Sequence, residues 1–175
     1  AVVAMRDLAG GAWSPETSLR GLQTCFVAPV GPGEVEIAVR LLRQGRNVCQ
    51  LQAEARQDGT VAAVMIGVFG AERPSALPVR RPERPAPSHD ADALPAPPAR
   101  PAGAPVFLQH FDMRWDAGPP PFTGGQGFST SIHLRMARDE AQSVPAELQT
   151  VLLADLPATP VVGQLTRPSA NSSVT

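Results

Sequence analysis

The sequence predicts an α+β protein built on antiparallel sheet, and three observations carry that expectation. Apolar and polar residues alternate with period two through several stretches of 175 residues, as expected of strands that keep one face dry. Asp58-Gly59 is the strongest two-residue hairpin signal. Two stretches instead follow the 3.6-residue period of a helix.

Taken in order, Val2, Val3 and Met5 set against Arg6 and Asp7 fit the last turns of a helix ended by Gly10-Gly11. Leu22–Val30 reads as a strand, Gly31-Pro32-Gly33 as a turn, and Val35, Ile37, Val39 and Leu41 as the inner face of a second strand whose other face is wet. Gln44-Gly45 turns the chain into a third strand, Asn47–Gln57, with Cys49, Leu51, Ala53 and Ala55 opposite Gln50, Gln52, Glu54 and Arg56. Val61–Phe69 is apolar on both faces and belongs in the middle of a sheet. From Glu72 to Pro105 the composition turns to Pro, Ala and Arg without a usable period, a proline-stiffened linker. Phe107–Trp115 and Phe128–Arg138 read as strands separated by a Pro- and Gly-rich loop, and Pro145–Leu156 as a helix. A proline-broken continuation runs to Leu165, and Asn171–Thr175 begins like a strand. The expected units are 1–71, a linker 72–105, and 106–175. They look like one repeat cut out of phase, with the opening of the first and the closing strands of the second missing.

A formal net charge of −1 and 43% hydrophobic residues fit a packed globular chain and point to no nucleic-acid or anionic-membrane partner. No apolar run approaches the about 18 residues a membrane helix needs, and no charged-then-apolar leader is present, so a soluble cytoplasmic protein is expected. Cys25 and Cys49 lack metal or redox spacing and read as small buried thiols. His110 and His133 could face one another on adjacent strands, but without a carboxylate pattern they read as surface or hydrogen-bonded residues. His89-Asp90-Ala91-Asp92 reads as solvated charge in the linker, and Gly124-Gly125-Gln126-Gly127 as a loop rather than a phosphate cradle. The G-x-S-x-G elbow of serine hydrolases is absent from the sequence.

The residue out of place is Asp155. Leu148, Val151, Leu152 and Asp155 fall at i, i+3, i+4 and i+7, one face of the predicted helix, which should point inward. A carboxylate on that face costs several kcal/mol, roughly, unless it is hydrogen-bonded or lines a wet cleft. Either it bonds local backbone at a helix end disrupted by Pro157, or it does chemistry.

A helix wrapped by an antiparallel sheet, twice in tandem, is the double-hotdog arrangement, and the residues resemble the acyl-CoA thioesterase II type of that superfamily. The resemblance rests on Leu19–Gly33, with its Gly31-Pro32-Gly33 turn, on Leu42-Arg43-Gln44-Gly45-Arg46 and on Gln57-Asp58-Gly59. In the second half it rests on His110–Trp115 and Leu152–Pro157. The resemblance implies hydrolysis of acyl-CoA to free acid and CoA, with no metal or bound cofactor, and with an Asp, a Thr and a Gln orienting a water. Asp155 matches the Asp, and Ser173 stands nearest the Thr, with the hydroxyl retained but the residue changed; the Gln would lie beyond Thr175. It implies acyl-CoA as substrate partner, and the exposed sheet edges imply homo-oligomers formed by sheet association. The rival expectations are a catalytically silent acyl-CoA-binding or assembly module and, third, a hotdog enoyl-CoA hydratase, for which the helix lacks a His after Asp155.

Overall fold

The computed structural model describes residues 1–12, 17–78, 80, 83, 86–96, 106–137, 141–157, 159–167 and 173–174. The chain forms two compact units, one of Ala1–Val79 with Asn171–Thr175 and one of Arg80–Ala170.

The first unit is a helix on a sheet. Helix α1 (Val2–Ala12) is followed by β1 (Ser18–Phe26), β2 (Glu36–Gln44), β3 (Val48–Gln57) and β4 (Thr60–Gly70). These pair antiparallel in the order β2-β3-β4-β1. The predicted inner face of β3 is realised: Cys49, Leu51, Ala53 and Ala55 are all buried. Cross-strand pairing sets Cys49 beside Phe69 and Leu51 beside Gly67. Met5 and Ala9 of α1 close this layer, and Met5, Leu51 and Phe69 are each fully buried. Gly67 is where helix and sheet come nearest, because a Cβ there would meet the Met5 sulfur at 2.9 Å. Arg6 lies over the Phe69 ring, 5.8 Å from its centroid, and donates to the Thr17 carbonyl at 3.1 Å.

The Asp58-Gly59 hairpin forms with positive φ at both residues, 49° and 78°, the twist that suits a two-residue turn between antiparallel strands. Gln57 fixes the turn between β1 and β2, accepting from Gly31 N at 2.8 Å and donating to Gly31 O at 3.1 Å. β4 lies at the centre of the sheet, as its apolar faces require.

Four expectations are corrected in this unit. The glycine pair does not end α1, which continues to Ala12 because the packing of Met5 and Ala9 holds the helix on the sheet. β1 runs Ser18–Phe26 rather than Leu22–Val30; an extra residue at Arg20 lets Leu19 and Leu22 both pair across β4. β2 has no dry face: only Val39 is half-buried, since the strand lies at the sheet edge. Of the two thiols only Cys49 is buried, and burial pushes it up; Cys25 is exposed.

The second unit contains a hairpin, β5 (Phe111–Ala117) with β6 (Ser131–Met136), and helix α2 (Ala146–Asp155). Val106–His110 is a 3₁₀ turn rather than the start of β5, so His110 does not lie on a strand, and the register sets His133 opposite Arg114. The two histidines therefore do not face one another. The hairpin has two unlike faces. Phe111, Met113 and Trp115 pair with Met136, Leu134 and Ile132 on one. Asp112 and Arg114 meet Arg135 and His133 on the other. Pro160–Gln164 is a 3₁₀ turn, and the Pro- and Gly-rich loop is tied to it by Phe122 N to Val162 O at 2.9 Å and Gly125 N to Gly163 O at 2.9 Å.

A two-residue strand, β7 (Ser173–Val174), pairs antiparallel with β1 and extends the first unit's sheet to five strands. No helix among the described residues is long and apolar enough to cross a membrane.

Candidate functional site

Asp155 is the last residue of α2 and is exposed. Of the inward stripe predicted for Leu148, Val151, Leu152 and Asp155, only half is turned in: Leu148 and Val151 are half-buried, as are Leu153 and Leu156, while Leu152 and Asp155 are exposed. Gln149, on the same side as Leu153, donates to Ala141 O and Val144 O at 2.8 Å each. With apolar residues spread round the axis the helix has no single wet face, and the glutamine bonds fix its rotation. The local-backbone role for the carboxylate has no hydrogen bond to support it among the described residues.

The backbone of Ser173 pairs with Cys25 of β1 in the first unit, and Asp155 belongs to the second. Its side chain, and Thr175, lie outside the described residues.

A densely bonded carboxylate in the second unit, Asp116, was not singled out from the sequence. The bulge between Trp115 and Ala117 frees Asp116 from strand pairing and leaves its carboxylate on the polar face of the hairpin. That carboxylate accepts from Ser88 N at 2.8 Å, His89 N at 3.0 Å, His89 Nδ1 at 2.9 Å and Ser131 Oγ at 3.1 Å. Led by the Ser88 amide and then the His89 ring, these donors hold its pKa down at about 2. Next to it, Arg114 donates to both oxygens of Asp112 at 3.1 and 3.2 Å, and Arg135 reaches the same carboxylate at 2.7 Å. The Arg114 hydrogen bond, with Arg135 beside it, holds Asp112 below the usual carboxylate range. Arg114 also donates to Ala91 O and Leu94 O, and His133 Nε2 to His89 O.

Part of the segment read as linker, Ser88–Leu94, is therefore stapled onto the polar face of the hairpin. His89 and Asp92 stay largely exposed, as solvated charge should, yet both are hydrogen-bonded. Ser131 bonds the carboxylate and not the imidazole, so Ser131, His89 and Asp116 lack the nucleophile-to-base contact a hydrolytic triad needs. The available signal was the spacing of Asp112, Arg114 and Asp116 on one strand against His133 and Arg135 on the next, which sets opposite charges face to face. Among the described residues no group of three or more His, Cys, Asp or Glu is arranged to hold a metal ion.

A helix laid on an antiparallel sheet, as in the first unit, is the layer arrangement of a hotdog protein. A conserved protein of unknown function with hot dog fold from Alicyclobacillus acidocaldarius superposes with TM-score 0.64 at 22% identity, covering 95% of this chain and 61% of its own. The acyl-CoA thioesterase II TesB2 from Mycobacterium marinum superposes with TM-score 0.51 at 20% identity, covering 77% of this chain and 49% of its own. At these identities the likeness establishes an α+β hotdog fold, and the chain spans less than two thirds of either structure. The family model described as acyl-CoA thioesterase N-terminal domain matches residues 1–70. A search of curated proteins gives no match.

Proposed function

We propose that the chain is an acyl-CoA thioesterase-like protein of tandem hotdog architecture that hydrolyses the thioester of acyl-CoA to a free acid and CoA. The observation that carries this reading is the match of residues 1–70 to the acyl-CoA thioesterase N-terminal domain. In the reaction a water oxygen attacks the thioester carbonyl carbon, a base takes the water proton, and the C–S bond breaks with the sulfur leaving as CoA thiol. Asp155 is the proposed base, a role worth about 10²–10⁴-fold for a positioned acid–base group, and Ser173 a helper that holds the water. Exposed Ile37, Leu41 and Leu42 on the edge strand β2 support sheet-edge association of copies. A cytoplasmic location belongs to the same reading.

A silent acyl-CoA-binding module is the second reading, favoured by the exposure of Asp155 and by the pairing of Ser173 with the other unit's sheet. Thiol release from acyl-CoAs of graded chain length, followed with a thiol-reactive dye, separates the two. Steady release that falls about 10²-fold or more in Asp155→Asn is the expected result. Equal rates in the two proteins remove Asp155 from the mechanism, and saturable acyl-CoA binding without thiol release establishes the second reading.

A further inference from the structure

One end of the first unit's sheet gathers cationic side chains. The turn between β2 and β3 closes through Gly45 N to Val48 O at 2.9 Å. The chain leaving β4 is pinned beside that turn by Ala71 N to Asn47 O at 3.2 Å. Arg43 from the end of β2, Arg46 from the turn and Arg73 from the exit of β4 thereby line one pocket of about 310 Å³, with Asn47 and Gln50 as further polar walls. Arg20, the bulge residue of β1, sits over Gly70 at the same end, its Cγ 3.2 Å from where a Cβ on that glycine would be.

Elsewhere the chain pairs its sheet arginines. Arg56 contacts Glu54 at 2.6 Å, Arg40 donates to Gln52 at 2.7 Å, and Arg114 and Arg135 share Asp112. By contrast, Arg43, Arg46 and Arg73 have no hydrogen bond or ion pair among the described residues, and no carboxylate lines their pocket. Three arginines at one pocket concentrate positive charge there, which is unfavourable unless an anion is shared among them. A guanidinium presents a planar fork of N–H donors that fits phosphate two oxygens at a time. Three forks around a pocket of this volume exceed what a single phosphate requires and suit two linked phosphates.

The geometry points to a diphosphate-binding site formed by Arg43, Arg46 and Arg73. The ligand chemistry is that of a free or nucleoside diphosphate or of the diphosphate in CoA, and only the second source rests on the thioesterase reading above.

Calorimetric titration of the full chain with inorganic pyrophosphate, at low and high salt, tests it. The expected result is saturable binding, weakened by salt and reduced about tenfold or more in R43Q/R46Q/R73Q, but unchanged in R40Q, whose arginine lies outside the pocket. Displacement of pyrophosphate by CoA assigns the site to CoA; persistence of pyrophosphate binding against CoA assigns it to a free diphosphate and leaves the site standing even if no thioester is cleaved. Absence of saturable binding, or equal binding by the triple variant, overturns the proposal. Circular dichroism shows whether the triple variant is folded, and if it is not, R46Q alone must weaken binding measurably.

Discussion

The two units are held together by different physics. In the first, an apolar layer of Met5, Ala9, Leu51 and Phe69 does the work, and the polar outer row from Arg40 through Gln52 and Glu54 to Arg56 only decorates it. In the second, α2 contributes no buried residue and Met136 is the one buried hydrophobic among the described residues, while a carboxylate and guanidinium lattice fastens Ser88–Leu94 to the hairpin. Apolar burial is non-directional and tolerates many sequences, whereas the lattice depends on individual donors and acceptors. Damage should therefore be graded by volume in one unit and by hydrogen-bonding capacity in the other.

The largest effect is expected from Phe69→Ala, which empties the centre of the first unit. A cost of about 3–5 kcal/mol, read from chemical denaturation, would place the stability of that unit in this layer. A value near that of an exposed residue would mean the layer is not what holds the sheet and helix together. Next comes Gly118→Ala in the second unit. Gly118 has φ of +86°, and an added Cβ would run into the Ser129 carbonyl oxygen, so a loss of about 1–3 kcal/mol or more is expected from strain.

Asp116→Ala sharpens the contrast without touching any core. Ser88 and His89 lose their shared acceptor, so their amide protons should exchange markedly faster while amides of β3 and β4 are unaffected. Acid should do the same to the unmodified protein. The Asp116 carboxyl is held at about 2 against an ordinary 3.8, so its contribution is fully present above the ordinary value. That contribution fades as pH falls from there through about 2, because the unfolded chain takes up the proton first. Protection of the Ser88 amide, taken relative to its intrinsic exchange rate at each pH, that stays constant across this window would remove Asp116 as the anchor. The smallest effect is expected from Arg40→Ala, about 0.5 kcal/mol or less, since its bond to Gln52 is exposed.

The same contrast explains what could be read in advance. Every inward residue of β3 and the position of the Asp58-Gly59 hairpin followed from period-two alternation and turn chemistry, because the core of the first unit is set by apolar pattern. The rotation of α2 did not follow. With Leu148, Val151, Leu152 and Leu153 spread round the axis, side-chain bonds of Gln149 settle which side packs, and those depend on distant carbonyls. The docking of Ser88–Leu94 was equally illegible, since backbone groups of the segment supply most of its hydrogen bonds to the hairpin and composition reports nothing of them. For the candidate site, Asp155 was visible as an anomaly in the pattern, yet its exposure was decided by tertiary packing. The arginines of the β2–β3 turn looked unremarkable one by one and became a group only when the exit of β4 was laid beside them.

The pairing of β7 with β1 makes the first unit discontinuous along the chain, with the second unit inserted before β7. Closing so long a loop is entropically costly and slow compared with forming the neighbouring hairpins. During synthesis, then, the flank of β1 stays unsatisfied until the chain has been made through Ser173 and Val174. In that interval a newly made molecule is most open to capture by a foreign strand.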